Sequence, residues 1–280
     1  MQKVLVPTDF STNALKAITY DSKIAQKSGT HIYLLHVIEP TINLVSMQAD
    51  SSSEEVVKER SELLVISQKT LTGIFPDVKV IKHLSGGAPI ASILNYAEKE
   101  EIDLIVMGTT GASGLKEFFM GSIAAGVIGK TKIPVLTVPV SYEMEEPDAI
   151  LFATNQFEKN KNILDKIVAI SKLFFAAIHI VVFKNIDDDE VVDYIYNEEQ
   201  LNDYLRFLKE TFPGVGFKGE VLEGKDFEIA IDRYSNKNEV DVIAMVTYPK
   251  SFFEKVLRKS VTKKMAFHST IPILAIPAIS

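Results

Sequence analysis

The chain has 280 residues, 46% hydrophobic and 24% charged, with a formal net charge of −7 and a pI near 5.4. That composition belongs to a folded globular protein of one or two domains and excludes a disordered tail, a collagen-like rod and a small cross-linked scaffold. The lack of cysteine excludes disulfides, thiolate metal sites and cysteine nucleophiles. The acidic balance argues against nucleic acid as a partner, and no apolar run approaches the ~20 residues of a membrane span. The opening MQKVLVPTDF runs straight into a strand pattern without the apolar stretch of a signal peptide, so a cytoplasmic location is expected.

In chain order, Val4 to Val6 is a short apolar run closed by Pro7-Thr8-Asp9. Ala14 to Ala25 has helical spacing and ends at Gly29, as a glycine-capped helix should. Ile32 to Ile38 reads as the second strand, and about Ser53 to Phe75 as a long polar helix. Val78 to Leu84 is the third strand, Ile90 to Lys99 a helix, and Leu104 to Met107 a wholly apolar strand. Leu115 to Ile128 is a further helix, and Ile133 to Val138 closes the series. Continuous apolar strands alternating with helices predict a parallel sheet covered on both faces.

The pattern then repeats. Leu84 to Pro139 aligns without a gap on Leu222 to Pro277, at a constant offset of 138. Gly86 falls on Gly224, Tyr96 on Tyr234, Asp103 on Asp241, Met107 on Met245 and Ser122 on Ser260. The start repeats at an offset of 146, placing Thr8 on Thr154. Strands of the second copy are expected near Ile150–Ala153, Ile178–Phe183, Gly216–Leu222, Val242–Val246 and Ile271–Ile276. The predicted fold is therefore α/β: two tandem, doubly wound, five-stranded parallel-sheet domains, Rossmann-like, over residues 1–141 and 148–280. The acidic, proline-containing stretch Ser141 to Asp148 would be the junction. Ligands of such sheets bind beyond the carboxyl ends of the strands, at the switch point.

After the fourth strand comes MGTTGASGLKEFFMGSIA, with Gly108, Gly111 and Gly121-Ser122. Glycines at a strand end let backbone amides approach a ligand, and amides at a helix start beside a serine hydroxyl form an anion cradle. The combination predicts phosphate binding. Gly129-Lys130-Thr131 is not the tail of a P-loop, because Ala124 stands where its first glycine is required. The turn Pro7-Thr8-Asp9 lacks the G-x-G-x-x-G dinucleotide fingerprint. Asp9 and Ser11 are also placed to cap the first helix. His36, at the end of an apolar strand, reads as a packed side chain. The cluster Asp187 to Glu190 reads as an exposed loop without metal-ligand spacing, and no metal site or catalytic residue is expected.

The spacing G-x2-G-x9-G-S, with the opening VLVPTDFS, the strand end LLHVIEP and the closing IPVLTVP, resembles the universal stress protein family across essentially the whole chain, as a tandem. The resemblance implies ATP or a related adenine nucleotide, with or without Mg²⁺, held in the N-terminal domain. On it, Asp9 would sit near the ribose or base, and Val37 would present its backbone to the adenine edge. Gly108, Gly111, Gly121 and Ser122 would wrap ribose and phosphates, with Pro7, Thr8, Met107 and Ile123 as supporting contacts. Thr110 departs from the family, many of whose members carry a basic residue there.

The second copy replaces Gly108 by Val246, Gly111 by Pro249, Gly114 by Phe252, Gly121 by Lys259 and Asp9 by Asn155. Bulky side chains obstruct a backbone cradle and proline removes an amide donor, so no nucleotide is expected there in the same mode. The lysines and arginine from Lys250 to Lys264 read as a solvated helix face. The second domain would be structural, pairing with the first through the last strands, Ile133 to Val138 and Ile271 to Ile276, and the chain would be capable of forming a homodimer. The expected role is stress-response regulation by nucleotide binding. The alternatives are a slow ATP hydrolase, or phosphoryl transfer onto Ser122, and a nucleotide-free interaction scaffold. Near the motif, only Asp9, Lys116 and Glu117 carry charge, and no general base is evident in the glycine loop.

Overall fold

A computed structural model describes residues 2–39, 41–43, 48–50, 54–109, 121–143, 146–154, 156–186, 191–247 and 270–278. Two compact units divide the chain, Met1–Tyr142 and Glu143–Ser280. In the first, the order is β1 (Lys3–Pro7), α1 (Thr12–Ser28), β2 (His31–Ile38), β3 (Thr41–Asn43), β4 (Gln48–Asp50), α2 (Glu54–Ile74), β5 (Val80–Gly86), α3 (Pro89–Lys99), β6 (Leu104–Gly108), α4 (Ser122–Ile128) and β7 (Val135–Val138). In the second, it is β8 (Ala149–Ala153), α5 (Lys161–Phe174), β9 (Ala177–Asn185), α6 (Val191–Thr211), β10 (Phe217–Gly224), α7 (Phe227–Lys237), β11 (Val242–Thr247) and β12 (Ile273–Pro277).

The first unit's sheet is parallel throughout, in the order β7-β6-β1-β2-β5. The second unit's is likewise parallel, in the order β10-β9-β8-β11-β12. In each, the chain first winds outward from the central strand, then returns to its other side. The order therefore reverses beside β1, between β1 and β6, where a doubly wound sheet leaves a crevice at its carboxyl edge. Val4, Leu5 and Val6 are fully buried, as expected of a strand with both faces covered.

Local chemistry sets the element ends. The Ser11 hydroxyl accepts from the Ala14 N–H at 3.2 Å and so caps α1, while Gly29, at φ 69°, closes it by donating to the Ala25 carbonyl at 2.8 Å. Proline at the start of α3 occupies a position whose N–H has no helical partner. Asp103 Oδ2 accepts from the backbone N–H groups of Gln2 and Lys3, at 2.6 and 3.1 Å, tying the start of β1 to that of β6.

Two elements differ from expectation. The antiparallel pair β3–β4 is not visible in the sequence, because Thr-Ile-Asn and Gln-Ala-Asp carry no apolar alternation to announce a strand. Val78, expected to open the third strand, is buried in the turn before β5. The helix expected from Leu115 is described from Ser122 onward. Gly111, Thr110, Gly114, Lys116, Glu117, Asn155, Asp187 to Glu190, Pro249, Phe252, Ser260 and the basic run Lys250 to Lys264 lie outside the described residues.

Candidate functional site

A cleft of about 180 Å³ opens at the carboxyl ends of β1, β2 and β6, against the first turns of α1, α3 and α4. Its walls contain Pro7, Thr8, Asp9, Val37, Met107, Gly108, Gly121, Ser122 and Ile123, nine of the ten residues nominated from sequence. The tenth, Gly111, falls outside the described residues. These nine come from four separated stretches of chain, and the switch point brings them together.

The phosphate-side wall is the start of α4. Gly121 occupies its N-cap and supplies no side-chain acceptor to the first-turn N–H groups. Those residues, Ser122, Ile123 and Ala124, line the cleft. The Gly121 N–H donates to the Thr109 carbonyl, which fixes the end of β6 to the entrance of α4. At φ −60° and ψ 152°, Gly121 has a backbone conformation open to any residue. A side chain there would change what fits in the cleft without requiring a new backbone conformation.

Gly108 has a different reason to be glycine. An added Cβ would lie 2.8 Å from the buried Asn13 side chain and 3.0 Å from the Asn13 carbonyl oxygen. The room that the sequence suggests for a ligand is taken by α1. This glycine permits the close approach of helix to strand end, and its contribution to the cleft follows from that.

On the opposite wall, the β1–α1 loop is tightly bonded. Asp9 Oδ1 accepts from the Ser11 N–H at 3.0 Å, and Ser11 is the residue that caps α1. Asp9 is thus held by the turn that starts the helix, with its residue facing the cleft. His36, expected only to pack, does so: its ring lies 4.5 Å from that of Phe10 and is buried. It also lines the cleft, and its Nδ1 lies 2.7 Å from the Thr8 carbonyl oxygen. Burial, the largest influence, holds the imidazole below its ordinary pKa.

The sequence did not single out Glu39, Thr109, Pro89 or Ile93, which also line the cleft. Glu39 stands in the quoted run LLHVIEP and could have been found one residue past the strand. Pro89 and Ile93 carried no separate signal, since an apolar helix face reads as core. Among the described residues no group of three or more His, Asp or Glu is placed to hold a metal ion, and no helix is long and apolar enough to cross a membrane.

Comparison with known proteins points to one family. The sequence model of the universal stress protein family matches residues 1–139. A universal stress protein of Methanocaldococcus jannaschii is 34% identical over 140 residues, covering 49% of this chain and 81% of that protein. One from Synechocystis is 24% identical over an alignment covering 98% of this chain and 99% of its own length, so both units have a counterpart there. The crystal structure of a universal stress protein from Archaeoglobus fulgidus superposes with a TM-score of 0.73 at 21% identity, covering 98% of this chain and 96% of that one.

Proposed function

This chain belongs to the universal stress protein family, and from that premise we propose that its first unit is an adenine-nucleotide-binding module. ATP, with Mg²⁺ arriving on the phosphates, is the ligand we assign to it. One observation carries the reading: a cleft at the switch point whose walls join Asp9 and Val37 to the uncapped start of α4. Such a helix start, whose first-turn amides receive no bond from the N-cap side chain, suits an anion. Val37 of β2 and Met107 of β6, on the strands either side of β1, offer backbone and apolar surface to a base, and Asp9 an acceptor to ribose hydroxyls or base amino groups.

In this reading, Ser122 and the amides of α4 hold the phosphates together with Gly111, and Pro7, Thr8 and Ile123 support the walls. The second unit is structural, and the two units pair through their last strands. The chain acts in the cytoplasm as a stress-response regulator, alone or as a homodimer, by changing its partner affinity when nucleotide binds. That coupling requires the partner-binding states to differ in their affinity for nucleotide.

Calorimetric titration of ATP and Mg²⁺ into the wild type and a Gly121→Lys variant tests the proposal. Gly121→Lys copies the second unit's residue into a backbone conformation that accepts it. Wild-type binding weakened by about 100-fold or more in the variant, on the order of 3 kcal/mol, supports the reading. A folded, nucleotide-free wild type that takes up no ATP overturns it. Phosphate release at a rate exceeding nucleotide dissociation would replace the binder with the hydrolase.

A further inference from the structure

One buried ring joins the two residues that the proposed site needs on its base side. His36 Nδ1 lies 2.7 Å from the Thr8 carbonyl oxygen. A carbonyl only accepts, so Nδ1 carries the proton and, in the neutral ring, Nε2 keeps the lone pair. The Thr8 N–H donates in turn to the Leu35 carbonyl at 2.8 Å. Two successive residues of β2 therefore grip one residue of the β1–α1 loop, by its amide and by its carbonyl. Phe10 packs on the ring at a tilt of 37° from the loop side, and its own N–H, at φ 63°, where a non-glycine residue is uncommon, donates to Thr8 Oγ1 at 3.0 Å. Asp9 sits between the two clamped residues, and Val37 follows His36 directly.

The second unit carries half of this device. Its Thr154 N–H donates to the Val181 carbonyl at 2.9 Å, the counterpart of the Thr8 bond at the same offset of 146. At that offset His36 becomes Val182, which has no side-chain donor. The backbone bond survives as part of the fold, and the side-chain clamp has gone where the glycines of the motif have also gone.

We propose that His36 is a positioning residue which, as a neutral Nδ1-protonated ring, fixes the Asp9 loop against the end of β2 and makes nucleotide affinity in the first unit depend on pH. The proposal rests on the nucleotide reading of the cleft. The groups around the ring set the sign. Burial and Arg60 of α2 disfavour the imidazolium, while Asp9 of the loop and the Thr8 carbonyl favour it. β5 places Leu84 opposite His36, and Glu39 lies at the cleft rim on the chain just beyond β2. A nucleotide seated against this wall removes further water from the ring. With the phosphates on the far wall at α4, desolvation outweighs their attraction for the imidazolium in this account, binding selects the neutral form, and by linkage affinity falls as the pH drops through the free protein's His36 titration.

Two variants and a spectrum test this on the full chain, with ATP and Mg²⁺ as the probe. The wild type should lose affinity by up to about tenfold per pH unit over the acid part of the range from about pH 8 to about pH 5. His36→Asn keeps a donor at the Nδ position and cannot titrate, so it should bind within about threefold of wild type at the top of the range and show a flatter profile. His36→Val, copying Val182, should bind about tenfold more weakly at high pH, the loss of one buried hydrogen bond and the loop order it imposes. Two-bond ¹H–¹⁵N spectra of the free wild type should show His36 as the Nδ1–H tautomer. An Nε2–H tautomer, a His36→Asn profile as steep as wild type, or wild-type affinity in His36→Val would each overturn the proposal. A wild type that binds no ATP at any pH, while its His36 still shows the Nδ1–H tautomer, overturns the nucleotide reading and this proposal with it. That outcome differs from the others, in which ATP binds.

Discussion

At the amino ends of the strands the two units are built from the same parts. Asp103 receives the Gln2 and Lys3 amides, and Asp241 receives those of Asp148 and Ala149, at 2.8 and 3.0 Å. Glu101 and Glu239 both turn the chain with positive φ before the fourth long strand of their unit. Tyr96 and Tyr234 are both buried, and burial pushes each phenol up to about 12. At the carboxyl ends the parts diverge. Gly108 corresponds to Val246 and His36 to Val182, and α1 has 17 residues where α5 has 14. Pressure to fold acts on the whole sheet, but a ligand acts only on the edge where the loops meet. Divergence at that edge is what loss of a site, with retention of the scaffold, would leave behind.

The helix packed behind the site holds the sharpest internal contrast. Asp21 of α1 is fully buried, neither of its carboxylate oxygens has a hydrogen-bond partner among the described residues, and burial pushes its pKa up to about 8. The residue at the same place in α5 is Ile167, also buried. A raised pKa means that the folded state holds a proton the unfolded state releases. The first unit should then be most stable below about pH 4 with respect to this group, and lose stability as the pH rises through about 8. The full effect is on the order of 5 kcal/mol. Asp21→Asn should flatten that slope, as read by hydrogen exchange in α1 of the intact chain across pH. Equal slopes in wild type and variant would show that the carboxyl finds a partner.

Exchanging residues at the strand ends sharpens the comparison further. Gly108→Val imports the second unit's side chain into a space already occupied by Asn13, and should destabilise the first unit by about 2 kcal/mol. Unchanged stability would mean that α1 can move aside, and that the glycine is kept for a ligand. The smallest expected effect lies at the end of α5. Phe175 takes the left-handed cap position of Gly29, at φ 57°, and is 95% exposed. Phe175→Gly should stabilise the second unit by about 1 kcal/mol. A loss of stability in thermal unfolding would reveal that the ring has a contact partner.

Much of this was legible in advance because it rests on one-dimensional signals. Buried parallel strands are continuous apolar runs, so Val4–Val6 and Leu104–Met107 stood out, and the gapless repeat pointed to two units. The loops of the cleft were legible because a doubly wound sheet dictates where strand ends converge. What escaped needed the third dimension. Nothing in the order of residues says that Asn13 packs against Gly108, or that a histidine which packs on Phe10 also binds Thr8 and lines the cleft. Pro89 and Ile93 look like any helix face until α3 is seen to flank an opening. The β3–β4 pair has no patterning to read, since its ladder bonds alone define it.

The most direct measurement is the number of nucleotides bound per chain, by equilibrium titration of nucleotide-free protein with ATP and Mg²⁺. One nucleotide per chain, lost on Gly121→Lys, is expected if the first unit keeps a site that the second has lost. Two per chain, or one that survives Gly121→Lys, would contradict it.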